Sequence, residues 1–145
     1  MTEPGVLMAA EIAEQPAVLD RLLREGTESI AEVRAAIARF DPSLVVLAAR
    51  GTSDHAALYA KYLVEIRRRL PAELAAPSTL TLYGARPDLR RALFVAVSQS
   101  GGSPDLLASL QAARECGALT VAVTNNADSD LAAAADHHVD VLAGP

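Results

Sequence analysis

The sequence has little of several residue types, and each shortage excludes a class of protein. It contains one cysteine, Cys116, so it cannot form an intramolecular disulfide or hold a metal in a cysteine cluster. This cysteine content fits a reducing compartment, and we expect a cytoplasmic protein. The chain does not open on a basic segment followed by an apolar run, and no uncharged apolar stretch approaches the roughly 18 residues of a membrane span. We therefore expect neither a signal peptide nor a membrane partner.

Positive charge is also scarce. The net charge is −5, and the longest run of basic residues is 67–69. Because nucleic-acid binding needs a clustered basic surface, we expect no nucleic-acid partner. By contrast, 51% of the 145 residues are hydrophobic and 21% are charged, which excludes a mainly disordered chain. A chain of this length can build one core of its own.

The hydrophobic pattern predicts alternating strands and helices. Helical spacing covers 6–25, with a break expected at Pro16, and 28–40, with Thr27 as N-cap and Asp41-Pro42 as the end. Short apolar runs predict five strands, at 44–49, 79–83, 93–97, 119–123 and 138–142. Strands that alternate with helices favour a parallel sheet, so we predict a three-layer α/β/α sandwich with a five-stranded parallel sheet. A helical lead-in, 1–40, would precede this α/β domain, 41–145.

Two hydroxyl-rich turns follow buried strands and open helices. One is Gly51-Thr52-Ser53, and the other spans 98–103 (SQSGGS). Ligands of parallel sheets bind at the carboxyl ends of the strands, where helix N-terminal amides favour anions. Neither turn has the lysine of a nucleoside-triphosphate loop or a GxGxxG pattern, so a phosphate monoester fits better than a nucleotide. A purely structural polar turn, with Ser103 as N-cap, is the alternative.

Four segments together resemble a known family. LAARGTS (47–53), SQSGGSPD (98–105), VAVTNNADSDLA (121–132) and the closing LAGP are similar to the SIS (sugar isomerase) domain. MAAEIAEQP (8–16) resembles the lead-in to the first SIS domain of glucosamine-6-phosphate synthase and deaminase-type proteins. The resemblance implies that the phosphate is bound by Ser53, Ser98, Gln99, Ser100 and Ser103, and the sugar end by Gly51 and Thr52. We expect no metal and no cofactor.

The resemblance leaves the activity open. Relatives of this type carry two SIS domains, with most catalytic residues in the second, so the catalytic residues here are unknown and the domain at 41–145 is expected to be truncated at its C-terminal end. The chain would be the N-terminal half of an amino-sugar phosphate isomerase or deaminase acting on fructose 6-phosphate or glucosamine 6-phosphate. Alternatives are a complete aldose–ketose isomerase acting as an oligomer, with His55 or Glu65 as first candidates for the base, and a non-catalytic sugar-phosphate sensor.

Other polar residues and the chain end complete the expectations. Arg50 is expected to pair with a surface carboxylate rather than with phosphate, and Asp54 and Asp105 to favour the dipoles of their helices. The adjacent His137 and His138 would point to opposite faces of a strand and not chelate one metal. Because no helix follows the last predicted strand, we expect an uncovered sheet edge. The expected partners are a second copy, giving a homo-oligomer such as a dimer, or a missing second SIS domain.

Overall fold

Five parallel strands form one sheet, flanked by helices on both faces. The computed structural model describes residues 5–144; residues 1–4 of the predicted lead-in, and Pro145 of the LAGP motif, lie outside the described residues. The strands are β1 (Leu44–Ala48), β2 (Ala72–Leu74), β3 (Ala92–Ser98), β4 (Leu119–Thr124) and β5 (His137–Asp140). The helices are α1 (Val6–Glu25), α2 (Thr27–Phe40), α3 (Ser53–Leu63), α4 (Pro77–Thr81), α5 (Pro104–Glu115) and α6 (Asp130–Ala134). A π-helical turn, Val64–Arg68, continues α3. The predicted α/β/α class is confirmed.

The strand order places a crevice at the middle of the sheet. The order is β2-β1-β3-β4-β5, so the chain runs outward from β1 to β2 and then returns to β3 on the other side of β1. Such a reversal leaves the segments after β1 and β3 diverging to opposite faces, and this point is where ligands of open α/β sheets bind. The register pairs Ala48 with Ala96, so the carboxyl ends of β1 and β3 lie side by side.

Each face of the sheet carries its own core. Successive strand residues point to opposite faces, so Phe94 packs with Leu106 and Leu110 of α5 and Leu131 of α6, all at most 1% exposed. The opposite core, under α2 and α3, contains Val33, Val45, Leu47, Ala57 and Val121 among its buried residues. Helices on both faces therefore hold β1 and β3 in fixed positions, with their carboxyl ends at one edge.

The predicted strand at 79–83 is wrong. Residues 79–81 of this segment are the end of helix α4, and the edge strand lies earlier, at Ala72–Leu74. Pro77 occupies the first turn of α4, where its fixed φ suits a helix and its missing N–H costs nothing. Thr81 then donates its hydroxyl to the carbonyl of Pro77 at 2.9 Å. A three-residue strand is too short to produce the alternation that predicts a strand from sequence.

Two local predictions about the N-terminal helices are also wrong. Helix α1 runs through Pro16 without a break. None of its described residues is buried, so water can reach the carbonyl of Ile12, the group that loses its partner at a proline. The N-cap position of α2 is Gly26, and the Thr27 hydroxyl instead donates to the carbonyl of Leu23 at 2.8 Å. The predicted end of α2 at Asp41, with φ 51°, is confirmed.

The lead-in helix α2 covers part of one sheet face close to β5, the strand at one end of the sheet order. It packs against β4 and β5, and Val33 is buried there. The exposed apolar side chains lie elsewhere, including Leu19 and Leu23 of α1 and Tyr59 of α3. The expected uncovered edge would be that of β5, and both this edge and self-association stay predictions. Within residues 5–144, no helix is both long and apolar enough to cross a membrane.

Candidate functional site

The two hydroxyl-rich turns meet at the crevice between β1 and β3. After β1, Gly51 adopts a positive φ of 61° and the chain enters α3 at Ser53. After β3, the turn from Ser98 leads to Pro104, the first residue of α5. Because the strands are parallel neighbours, both helix N-termini lie at the same edge of the sheet. The seven predicted site residues are thus distributed over two adjacent turns.

An ion pair joins the two turns directly. Arg50, which precedes Gly51, donates from Nε to Asp105 Oδ2 at 2.5 Å, and its Nη2 contacts the same oxygen. Asp105 lies in the first turn of α5. The expected pairing of Arg50 with a carboxylate is therefore confirmed, and it spans the crevice where the ligand is predicted.

The hydroxyl oxygens of Ser98 and Ser100 accept hydrogen bonds from the turn itself. Gly101 N–H donates to Ser98 Oγ at 3.1 Å, and Gly102 N–H donates to Ser100 Oγ at 3.2 Å. Ser98 is buried, with 8% of its surface exposed, whereas Ser100 is exposed. In the described part of the chain neither hydroxyl donates to a protein group, so both protons can point to a ligand.

Ser103 differs from these two serines because its proton is already used. Its hydroxyl donates to Asp105 Oδ1 at 2.7 Å, and a serine hydroxyl has only one proton to donate. Ser103 holds the N-cap position of α5, yet its side chain makes no capping hydrogen bond. The Ser103 hydroxyl, assisted by Arg50, holds the pKa of Asp105 below its usual range, so the carboxylate is charged at neutral pH.

The remaining predicted ligands line the same two turns with different exposure. Gly51, Thr52 and Gln99 are exposed, and Ser53 is partly buried at the start of α3. The carbonyl of Gln99 accepts the N–H of Asn125 at 2.9 Å, so its backbone is fixed while its side chain faces solvent. These positions fit the predicted roles, which remain predictions.

The turn after β4 supports the site, and sequence reasoning assigned it no role. Besides the bond from Asn125, the N–H of Leu131 donates to the carbonyl of Gly101 at 3.3 Å. Gly101 has a φ of 66°, and a Cβ built there would overlap the side chain of Ser129. The only sequence signal was that this turn lies inside the 121–132 motif. Its contacts show that it holds the serine-rich turn in place.

An open cleft lies beside the predicted site but does not include it. Its volume is about 340 Å³, and it is lined by Arg21, Asn125, Asp140, Leu142 and Gly144. The Asn125 side chain fixes the chain after β5, because its Nδ2 donates to the carbonyl of Gly144 at 2.6 Å and its Oδ1 accepts the N–H of Ala143 at 2.7 Å. The cleft therefore borders the turn after β4, which supports the site, rather than the serine-rich turn.

Comparisons with known proteins identify the family. The family model described as "SIS domain" matches residues 40–145. The chain belongs to the SIS domain family. It is 40% identical to the glutamine–fructose-6-phosphate aminotransferase (isomerizing) of Streptomyces coelicolor, over 95% of this chain and 23% of that protein. The corresponding enzyme of Halobacterium salinarum is 35% identical, over 95% and 24%. The chain thus spans about a quarter of the length of these curated relatives.

Solved structures agree with this assignment. A protein of Silicibacter pomeroyi DSS-3, provisionally named a phosphosugar isomerase, superimposes with a TM-score of 0.92 at 46% identity, over 95% of this chain and 42% of that one. The C-terminal domain of the glucosamine-fructose-6-phosphate aminotransferase from Francisella tularensis gives a TM-score of 0.80 at 27% identity, over 100% and 42%. The resemblance to SIS domains drawn from the four motifs is confirmed.

The candidate bases and histidines of this SIS domain do not form a further cluster. Glu65 lies in the π-helical turn beyond the far end of α3, where its Oε1 accepts from Lys61 Nζ at 2.5 Å. His138 Nε2 lies 2.8 Å from Thr124 Oγ1. Thr124 Oγ1 also lies 2.9 Å from the carbonyl oxygen of Asn126, and its single proton can be donated to only one of these two partners. Between residues 5 and 144, no group of three or more His, Cys, Asp or Glu side chains is placed to hold a metal ion.

Proposed function

We propose that this SIS domain binds the phosphate group of a sugar phosphate between the turns after β1 and β3. The observation that carries the proposal is the state of the Ser98 and Ser100 hydroxyls. Their oxygens are already satisfied by glycine N–H groups, so their protons are left to donate to an anion. Ser53, Gln99 and Ser103 would complete the phosphate site, and Gly51 and Thr52 would contact the sugar.

The chemistry of the turns favours a phosphate monoester on a neutral polyol. The N-termini of α3 and α5 both face this edge, and helix N-termini attract anions. All seven proposed ligands are uncharged, so the site relies on oriented hydroxyl, amide and dipole interactions. Hydroxyl and amide groups of this kind also suit the hydroxyl groups of a sugar.

We further propose that the domain works within an amino-sugar phosphate isomerase or aminotransferase. The names of the relatives, which are glutamine–fructose-6-phosphate aminotransferases, support this substrate class. Fructose 6-phosphate and glucosamine 6-phosphate are therefore the first ligands to test. The proposed cytoplasmic location rests on the cysteine content. The test below also asks whether the 145-residue chain turns over either sugar phosphate.

Titration of the chain with each sugar phosphate, followed by amide chemical shifts in NMR, tests the proposal. We expect saturable shifts at Ser53 and across 98–103. The Ser98→Ala/Ser100→Ala variant removes two hydroxyl donors to a charged group, each worth about 1.5–3 kcal/mol, so its affinity should fall by at least about a hundredfold. Coupled assays for isomerisation on the same samples would report any turnover.

Two controls make the result specific. Ser43→Ala changes a serine that precedes β1 at the opposite edge of the sheet, so it should leave the affinity unchanged. Unphosphorylated glucosamine should produce no shifts at 98–103. An unchanged affinity in the double serine variant, or equal binding of glucosamine, would overturn the proposal.

A further inference from the structure

The Asp105 carboxylate accepts hydrogen bonds from the same kinds of donor that bind a phosphate oxygen. Its Oδ1 accepts the Ser103 hydroxyl at 2.7 Å and the N–H of Leu106, in the first turn of α5, at 3.1 Å. Its Oδ2 accepts the Arg50 guanidinium. A hydroxyl, a helix N-terminal amide and a guanidinium are also the groups with which proteins bind phosphate. Asp105 therefore occupies these donors as an internal anion.

The two charges of the Arg50–Asp105 pair cancel while the pair is closed. None of the seven proposed ligands is charged, and Arg50 and Asp105 contribute one positive and one negative charge. An approaching phosphate would be repelled by the carboxylate and attracted by the guanidinium. The affinity for phosphate must then depend on which of these two charges faces the ligand.

The pair is exposed enough to open. The side chain of Arg50 is 55% exposed and that of Asp105 is 39% exposed. Exposed ion pairs are weak, whereas a guanidinium binds phosphate through two parallel charge-assisted hydrogen bonds. Only the Asp105 carboxyl group separates the guanidinium from the Ser103 hydroxyl, so reorientation of side chains can bring both to one phosphate.

We propose that Arg50 is a phosphate-binding residue which Asp105 holds in the unliganded protein, and that phosphate displaces the carboxylate from Arg50 and Ser103. Asp105 thereby acts as an internal competitor that sets the affinity of the site. This inference rests on the proposed function, because it assumes that phosphate binds between the two turns. It adds a cation to a site whose other ligands are neutral.

The test measures the affinity of single variants for fructose 6-phosphate and for inorganic phosphate by calorimetry. Asp105→Asn removes the competing charge and should tighten binding of both by about tenfold, the effect of one additional charge-assisted hydrogen bond. Arg50→Ala removes the cation and leaves the carboxylate charge facing the ligand, so it should weaken binding by about tenfold or more. Arg50→Lys should recover part of the loss. Adding Asp105→Ala to Arg50→Ala should also recover part of it.

Matched controls come from a second exposed arginine–aspartate pair. Arg90 Nε donates to Asp88 Oδ1 at 2.8 Å just before β3, at the opposite edge of the sheet. Arg90→Ala and Asp88→Asn should leave both affinities unchanged. Urea unfolding of every variant establishes whether it is folded. If variants with Asp105→Ala do not fold, Asp105→Asn serves instead, because its amide oxygen can still accept hydrogen bonds at the helix N-terminus.

Each outcome separates this inference from the function on which it rests. If Asp105→Asn weakens binding as Arg50→Ala does, the ion pair has only a structural role in holding the two turns together. The inference is then overturned. If wild type binds and neither substitution changes the affinity, the inference is also overturned, but the proposed function survives. If neither wild type nor Asp105→Asn binds either probe, both fail.

Discussion

Gly101→Ala should damage the serine-rich turn, whereas the same change at the neighbouring glycine should be tolerated. Gly101 has a φ of 66°, a region that alanine enters only at a cost of about 1–2 kcal/mol. Its added Cβ would also lie closer than 3.0 Å to the Oγ and Cβ of Ser129. The backbone of Gly102 is not in the positive-φ region, and a Cβ there meets only Ser100 Oγ, at 3.7 Å. The two substitutions therefore add the same methyl group in opposite surroundings.

The size of the effect follows from what Ser129 must give up. Ser129 is 6% exposed, and its Oγ accepts the N–H of Ala132 at 3.3 Å as the N-cap of α6. Overpacking costs about 1–3 kcal/mol and a lost cap about 1 kcal/mol. Together with the unfavourable φ, Gly101→Ala should lower the free energy of unfolding by about 3–6 kcal/mol. Gly102→Ala should change it by less than about 0.5 kcal/mol.

Urea unfolding monitored by circular dichroism measures both variants, and a double mutant isolates the contact. Ser129→Gly removes the overlapping atoms, and glycine replaces serine at an N-cap at a cost of only a few tenths of a kcal/mol. Gly101→Ala/Ser129→Gly should then lose only about 2 kcal/mol, less than Gly101→Ala alone. If Gly101→Ala is as harmless as Gly102→Ala, or if Ser129→Gly does not rescue it, the close approach of the two turns is refuted.

Two further predictions concern stability away from the site. Asp136 accepts hydrogen bonds from the N–H and the hydroxyl of the buried Thr120 and forms an ion pair with Arg114. Burial favours the neutral form of Asp136, but these contacts outweigh it and keep the pKa of Asp136 below its ordinary 3.8. Its contribution is therefore complete above pH 3.8 and is lost as the pH falls through the lower folded pKa. Asp136→Asn should lose about 1–3 kcal/mol at pH 7, and its urea-unfolding curve should converge with that of wild type in acid; a constant difference would contradict this. Pro16→Ala restores an N–H donor to Ile12 within exposed α1, so circular dichroism should show more helix and amide exchange in α1 should slow, whereas unchanged exchange would contradict the reason given.

Much of the fold was predictable because the central strands are continuous apolar runs. β1, β3 and β4 lie within about one residue of their predicted bounds, since strands covered on both faces must be hydrophobic throughout. The edge strand β2 is not predictable because its three residues carry no pattern, and the weak alternation at 79–83 predicts a strand where the helix that begins at Pro77 ends. Proline chemistry predicts a break in α1, but the helix continues because it is exposed and water can reach the carbonyl that loses its partner.

The location of the candidate site was predictable from the sequence, but the directions of its protons were not. Hydroxyl-rich turns after buried strands pointed to one edge of the sheet, and the strand order places them together. Whether a serine hydroxyl is available depends on neighbours that sequence spacing does not specify. From the sequence alone, Ser98 and Ser103 are equally plausible ligands. In the structure, Ser98 accepts a backbone N–H, whereas Ser103 donates its proton to Asp105.

The supporting turn explains why the resemblance to SIS domains extends beyond the predicted ligands. The segment after β4 supplies no proposed phosphate ligand, yet Asn125 and Leu131 bond the backbone of the serine-rich turn and Ser129 packs against Gly101. A turn fixed in this way needs little ordering when it binds an anion, and preorganisation of this kind preserves affinity. This matters most where the donors are neutral, because their contribution depends on direction rather than on charge. Packing against the serine-rich turn therefore gives the motif at 121–132 a structural role that needs no contact with a ligand.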